Sequence, residues 1–160
     1  MRPLGPALAL ALVVTFVPAL AHAVTTQDHA AIDRGKARVK WTRIDVPEGK
    51  DAARLTALLR KLLDKAVKQT DFGEVRAMTA SARIVELRAA KDGDVLRVTC
   101  SLSGKLEGGR GARSKISLGG DPGRAAELET EVLTMVANGL VTRLAEMARA
   151  QAEREKKAAD

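Results

Sequence analysis

Histidine, cysteine and aromatic residues are nearly missing from this chain of 160 residues: two histidines, one cysteine, one tryptophan, two phenylalanines and no tyrosine. One cysteine excludes an intramolecular disulfide framework and any cysteine-rich zinc or iron–sulfur site. So few rings leave little for base-stacking platforms, which argues against sequence-specific nucleic-acid recognition. A 46% apolar content is too high for general disorder, and the length suits one ordinary domain.

What is present begins with an address. Arg2 supplies a positive start, residues 7–20 are apolar, and Ala21-His22-Ala23 fits the small-x-small rule for peptidase cleavage. Pro18 would break a helix just before the cut. The apolar run is 14 residues long, short of the roughly 20 that span a bilayer, so 1–23 reads as a cleavable secretory signal rather than an anchor. No cysteine follows the cut to carry a lipid. The Ala-, Arg- and Leu-rich composition points to a bacterial periplasm or the outside of the cell.

Residues 24–36 are polar and patternless and read as a disordered leader, 37–150 as a single α+β domain, and 151–160 as a frayed, charged helical tail. Residues 37–46 have strand composition. Their alternation slips, with Val39 and Trp41 on one parity and Ile44 and Val46 on the other, which predicts a bulge or a strand covered on both sides. Leu55, Leu58, Leu59, Leu62, Leu63, Ala66 and Val67 then recur on one helix face, with Asp51 placed to cap the start.

A three-stranded meander should follow. Asp92-Gly93 as a two-residue loop would set Val85 opposite Cys100, Leu87 opposite Val98 and Ala89 opposite Leu96. A second turn through residues 107–111 would pair Leu106 with Ala112, Leu102 with Ile116 and Cys100 with Leu118. Both turns put Leu96, Val98, Cys100 and Leu102 on the core face of the middle strand. Asp121-Pro122 opens a last helix whose stripe runs through Leu128, Val132, Met135, Val136, Leu140, Leu144 and Met147 and is widened by Leu133 and Val141. The expected fold is therefore β-α-β-β-β-α, an antiparallel-rich sheet made of the meander and the N-terminal strand, with two helices packed on one face.

Few residues could carry chemistry. His29 lies alone in the leader, so neither a histidine triad nor a multi-histidine metal site can be assembled, and no cofactor is implied. Cys100 on the core face reads as a small buried hydrophobe. Glu86, Asp94, Glu127, Glu129 and Glu131 could supply a carboxylate-based hydrolase, but none sits in an apolar run that would raise its pKa. The Gly-rich turn at 118–124 lacks the Lys-Ser/Thr of a P-loop and reads as a capped turn.

Two surfaces remain. On the outer face of the meander the expected registers set Arg88 opposite Arg97, Lys105 opposite Arg113 and Ser103 opposite Lys115, with Thr99, Ser101 and Ser117 between them. Like charges across a sheet destabilise it, so this face is either ordinary solvated surface or a binding site for an anionic glycan or lipid. The second surface is the wide stripe of the last helix, where Ala137, Gly139 and Ala145 admit close approach by a partner or a second copy. No motif identifies a family. The element order resembles small α/β domains of bacterial envelope lipoproteins that activate synthases or assist assembly, without their lipid-bearing cysteine. The chain reads as an exported, non-catalytic binding or accessory domain acting on an envelope protein, with an anionic polymer as the alternative partner.

Overall fold

Residues 37–159 are described by the structure, a computed structural model; the signal and the leader lie outside the described residues. The chain runs β1 (Arg38–Asp45), α1 (Ala52–Gln69), β2 (Ala77–Asp92), β3 (Val95–Leu106), β4 (Gly111–Gly120), a 3-10 turn at Pro122–Arg124 and α2 (Ala125–Ala159). The four strands form one sheet in the order β1-β2-β3-β4. β2, β3 and β4 are antiparallel, and β1 pairs parallel with β2. A parallel neighbour needs a crossover, and α1 supplies it. The expected α+β architecture holds, and the first strand takes the edge beside β2.

The slip in the β1 pattern is a bulge. Trp41 pairs with Ala80 and Arg43 with Ser81, leaving Thr42 as the extra residue. The bulge turns Val39 and Trp41 before it, and Ile44 after it, toward the same core. Trp41 is buried, and its indole Nε1 donates to Asp64 Oδ1 of α1 at 3.1 Å, tying the helix to the edge strand.

On α1, Leu55, Leu59, Leu63 and Ala66 are buried, with Leu58, Leu62 and Val67 partly so. Asp51 precedes the helix but does not cap it as expected. Its carboxylate takes no backbone N–H and pairs instead with the Arg54 Nε at 3.3 Å. Asp121 does cap: its Oδ1 accepts the Gly123 N–H at 2.7 Å, with Pro122 at the first position of the turn. α2 then continues as helix to Ala159, and Lys156 near its end pairs with Glu74.

Both hairpins close two residues away from the expected registers. The first loop is Gly93-Asp94, so Asp92 pairs with Val95, Ala89 with Val98 and Leu87 with Cys100. Gly93 has φ 61°, which suits the first loop position of a tight hairpin, and Asp92 is thereby released to the strand. In the second hairpin Gly104 pairs with Ala112, Leu102 with Ser114, Cys100 with Ile116 and Val98 with Leu118. Leu106 leaves β4 and pairs with Ala80 of β2 instead, which lengthens the turn. A shift of two preserves side-chain direction, so Leu96, Val98, Cys100 and Leu102 all face the core as expected.

A second bulge falls at Val85. Ile84 pairs with Leu102 and Glu86 with Ser101, so Val85 opposes nothing and is 49% exposed, not a core residue facing Cys100. Before the bulge Ala80, Ala82 and Ile84 point to the core; after it Leu87 does.

α2 lies across β3 and β4 and against α1, with Leu133, Val136, Leu140 and Leu144 fully buried. Two glycines set how closely it sits. A Cβ on Gly104 would come within 3.0 Å of the Leu140 side chain, and one on Gly139 within 2.7 Å of Ser114 Oγ. Gly139 thus accommodates the chain's own β4. The width of the helix stripe is used by the sheet on one side and by α1 on the other. Met135, 42% exposed, is the large apolar residue of α2 left outside.

Candidate functional site: the open face of the sheet

With both described helices on one face, side chains of opposite parity stand on a face that no helix among the described residues covers. β3 runs through its middle as a row of hydroxyls: Ser103, Ser101 and Thr99. On one bank β2 places Arg83 beside Ser103 and Arg88 beside Thr99. On the other bank β4 places Arg113 beside Ser103, Lys115 beside Ser101 and Ser117 beside Thr99. Lys105 and Arg97 stand on β3 at the two ends. The result is a trough, floored by hydroxyls and walled by cations. Adjacent strands lie about 4.8 Å apart, so the banks are about 10 Å apart, and the stretch of β3 from Lys105 to Arg97 extends about 27 Å. Lys40 continues the basic field along β1, where Arg43 Nε is paired with Asp45 Oδ1 at 2.6 Å and Asp45 stands beside Arg83.

All five expected basic residues therefore share this face, but their partners differ. Arg88 faces Thr99 rather than Arg97, Lys105 faces Gly111 rather than Arg113, and Lys115 faces Ser101 rather than Ser103. Arg97 stands between Ala90 and Gly119. The two-residue shift places each cation opposite a hydroxyl or a small residue, which removes the like-charge pairs and their cost.

Arg83 joins the site and was missed. On a regular β2 it would share the parity of Leu87 and point to the core; the bulge at Val85 reverses it. A signal exists in the sequence, since apolar residues sit at 80, 82 and 84 and then at 87. The same bulge brings Glu86 into the trough. Its carboxylate takes Lys115 Nζ at 3.0 Å and Arg88 Nε at 3.1 Å. The hydrogen bond from Lys115, reinforced by the charges of Lys115, Arg88 and Arg113, holds the Glu86 carboxyl below the usual carboxylate range. Arg83, Arg97 and Lys105 have no ion-pair partner among the described residues.

The floor is roofed by long side chains rather than by a helix. Ser101 is 0% and Thr99 5% exposed. Arg113 Nε donates to Ser101 Oγ at 2.8 Å, and the Thr99 and Ser117 hydroxyls share a hydrogen bond of 2.9 Å. The aliphatic stems of Arg and Lys exclude water there while their charged heads remain wet.

The other sequence candidates fall elsewhere. Cys100 is fully buried, and desolvation pushes its thiol up to about 11, so it is inert at neutral pH. The carboxylates do not converge. Glu86 is on the open face, whereas Glu127, Glu129 and Glu131 belong to the start of α2 on the opposite side of the sheet. Glu129 pairs with Arg54 at 3.0 Å and Glu127 with Arg124. Asp94 is in the first hairpin loop. A groove of about 410 Å³ between the β3–β4 loop and α2 is lined by Leu106, Arg110, Met147, Gln151, Arg154 and Glu155 and holds a single carboxylate. Among the described residues no group of His, Cys, Asp and Glu could hold a metal ion. No helix among them is long and apolar enough to cross a membrane.

No family model and no curated protein matches the chain. Among solved structures it is similar to a candidate lipoprotein of Caulobacter crescentus, with 17% identity, a TM-score of 0.46, and 78% of this chain and 97% of the other covered. It is also similar to a PelC dodecamer of Paraburkholderia phytofirmans, with 16% identity, a TM-score of 0.41, and 69% and 89% covered. A minor lipoprotein of Acinetobacter baumannii shows 10% identity and a TM-score of 0.39, with 73% and 93% covered. At such values the likeness carries no functional inference.

Proposed function

We propose that this chain is an exported, non-catalytic binding or accessory module of the bacterial cell envelope, and that it docks an anionic partner, protein or polymer, on the open face of its sheet. The observation that carries this reading is the layering: among the described residues both helices are spent on one face, and the other presents basic side chains around a hydroxyl floor. Export rests on the signal-like pattern of residues 1–23. Docking through the apolar stripe of α2 is disfavoured, because that stripe is already covered by the sheet and α1. Hydrolysis is disfavoured because its candidate acids stand on opposite sides of the sheet, at Glu86 and at the start of α2.

The test is retention of the tagged full chain on envelope extract from its own host, at low salt and again at about 0.5 M, where the Debye length has shrunk to a few ångströms. Retention should be lost at high salt, and lost at low salt in Arg97→Glu combined with Lys115→Glu. Retention that survives both would overturn the reading in favour of an apolar interface. Turnover of a wall polymer that disappears in Glu86→Gln would overturn it in favour of an enzyme.

A further inference from the structure

We propose that the trough along β3 binds one linear anionic polymer, laid lengthwise between the two basic banks with its phosphate or carboxylate groups on Arg83, Arg88, Arg113 and Lys115. This deepens the binding reading above and rests on it. The shape favours a chain over a globular partner. The cations are not one cluster but two rows joined at their ends by Lys105 and Arg97, a layout that follows a line of charge rather than a point. An acidic protein would need an apolar or aromatic anchor at the centre of its interface. The trough offers none, since its middle is Ser101 and Thr99 and the exposed Val85 and Val95 lie off it, at the β2 bulge and at the start of β3. Nucleic acid is disfavoured because the described residues offer this face no ring on which a base could stack, Trp41 and Phe72 being buried in the core. What remains is a flexible polymer recognised by its charge.

Glu86 gives the proposal a sign. Between the two banks it is the carboxylate among the described residues, Asp45 standing outside them beside Arg83 and paired with Arg43, and it already occupies Lys115 and Arg88 as a ligand anion would. A bound polymer must compete with it for both cations. Removing its charge should therefore strengthen binding, an outcome that misfolding cannot imitate.

The probes are long-chain polyphosphate and polygalacturonate, titrated against the full chain at about 0.1 M salt. Affinity should rise with oligomer length until the ligand spans about 27 Å and then level off. Arg83→Glu with Arg113→Glu, one from each bank, should weaken binding about tenfold or more, and Glu86→Gln should tighten it several-fold. Arg60→Glu with Lys61→Glu on the exposed face of α1 makes the same change in net charge and should alter affinity less than about twofold. Binding of only one probe supports the site and identifies the charged group it takes. An equal loss from the α1 pair would overturn the proposal by showing a response to net charge alone. Failure of both polymers, with envelope retention still abolished by Arg97→Glu and Lys115→Glu, would overturn the polymer and leave an acidic protein as the partner. If retention also ignored those charges, the binding reading would fall with it.

Discussion

Leu102 and Ser101 are neighbours on β3, both fully buried, and they point to opposite faces of the same sheet. Leu102 is covered by another layer: α2 crosses β3 and β4 above it, and the core there runs through Leu133, Leu140 and Leu144. Ser101 is covered by its own sheet, through Arg113, Lys115 and Glu86 from the strands on either side. Burial by a packed layer is stiff and apolar, and it contributes stability. Burial by long charged side chains is labile, because each head can turn to water or to a ligand at little cost. Equal exposure thus conceals two different kinds of burial, and the face that is easily uncovered is the one the proposed binding would use.

The largest expected break in this contrast is Leu102→Ala. It removes a fully buried side chain beneath a helix that cannot collapse onto the gap, and should cost about 2–5 kcal/mol, read as a lower denaturant midpoint at unchanged m-value. Gly139→Leu comes next on the same face. An added Cβ meets Ser114 Oγ, so α2 must lift from β4, at about 1–3 kcal/mol in the same measurement. Ser101→Ala tests the other face. It removes the acceptor for Arg113, whose exposed head is rehydrated, and should cost only about 0.5–1.5 kcal/mol. A loss as large as that of Leu102→Ala would erase the distinction between the faces.

The smallest effect concerns acid. Because the folded-state pKa of Glu86 is depressed, its contribution to stability is present in full above the ordinary carboxylate value of 4.5 and is lost as pH falls through the lowered value. Glu86→Gln should therefore flatten the acid limb of the stability–pH curve below that range and leave the curve parallel to the parent's near neutrality. An unchanged acid limb would mean that Lys115 and Arg88 do not hold the carboxylate in solution.

The element order and the face of β3 were legible because apolar periodicity reports the direction of a side chain, and direction is a local property. The slip between Trp41 and Ile44 announced its bulge for the same reason. Asp121-Pro122 announced its cap, because a cap is satisfied within three residues; Asp51 shows that the same signal can go unused when an arginine one turn on competes for the carboxylate. The registers were not legible. Two hairpin closures that differ by two residues bury the same side chains, so the pattern cannot choose between them. Arg83 was hidden by the same limit: the change of parity between Ile84 and Leu87 is visible, but which residue steps out of the ladder depends on the pairing with Leu102 and Ser101.

The sequence by itself thus determined which side chains share a face, how many layers form, and that one sheet face would be basic. Only the tertiary structure decided who stands opposite whom. It set β1 parallel at the edge beside β2, removed the arginine–arginine confrontation by a shift of two, and turned Arg83 and Glu86 into the trough at Val85. The physical reason is one of range. The pleat and the helical turn are fixed by neighbours in the chain, whereas register, bulges and the meeting of charges from three strands are fixed by pairings between residues far apart in it.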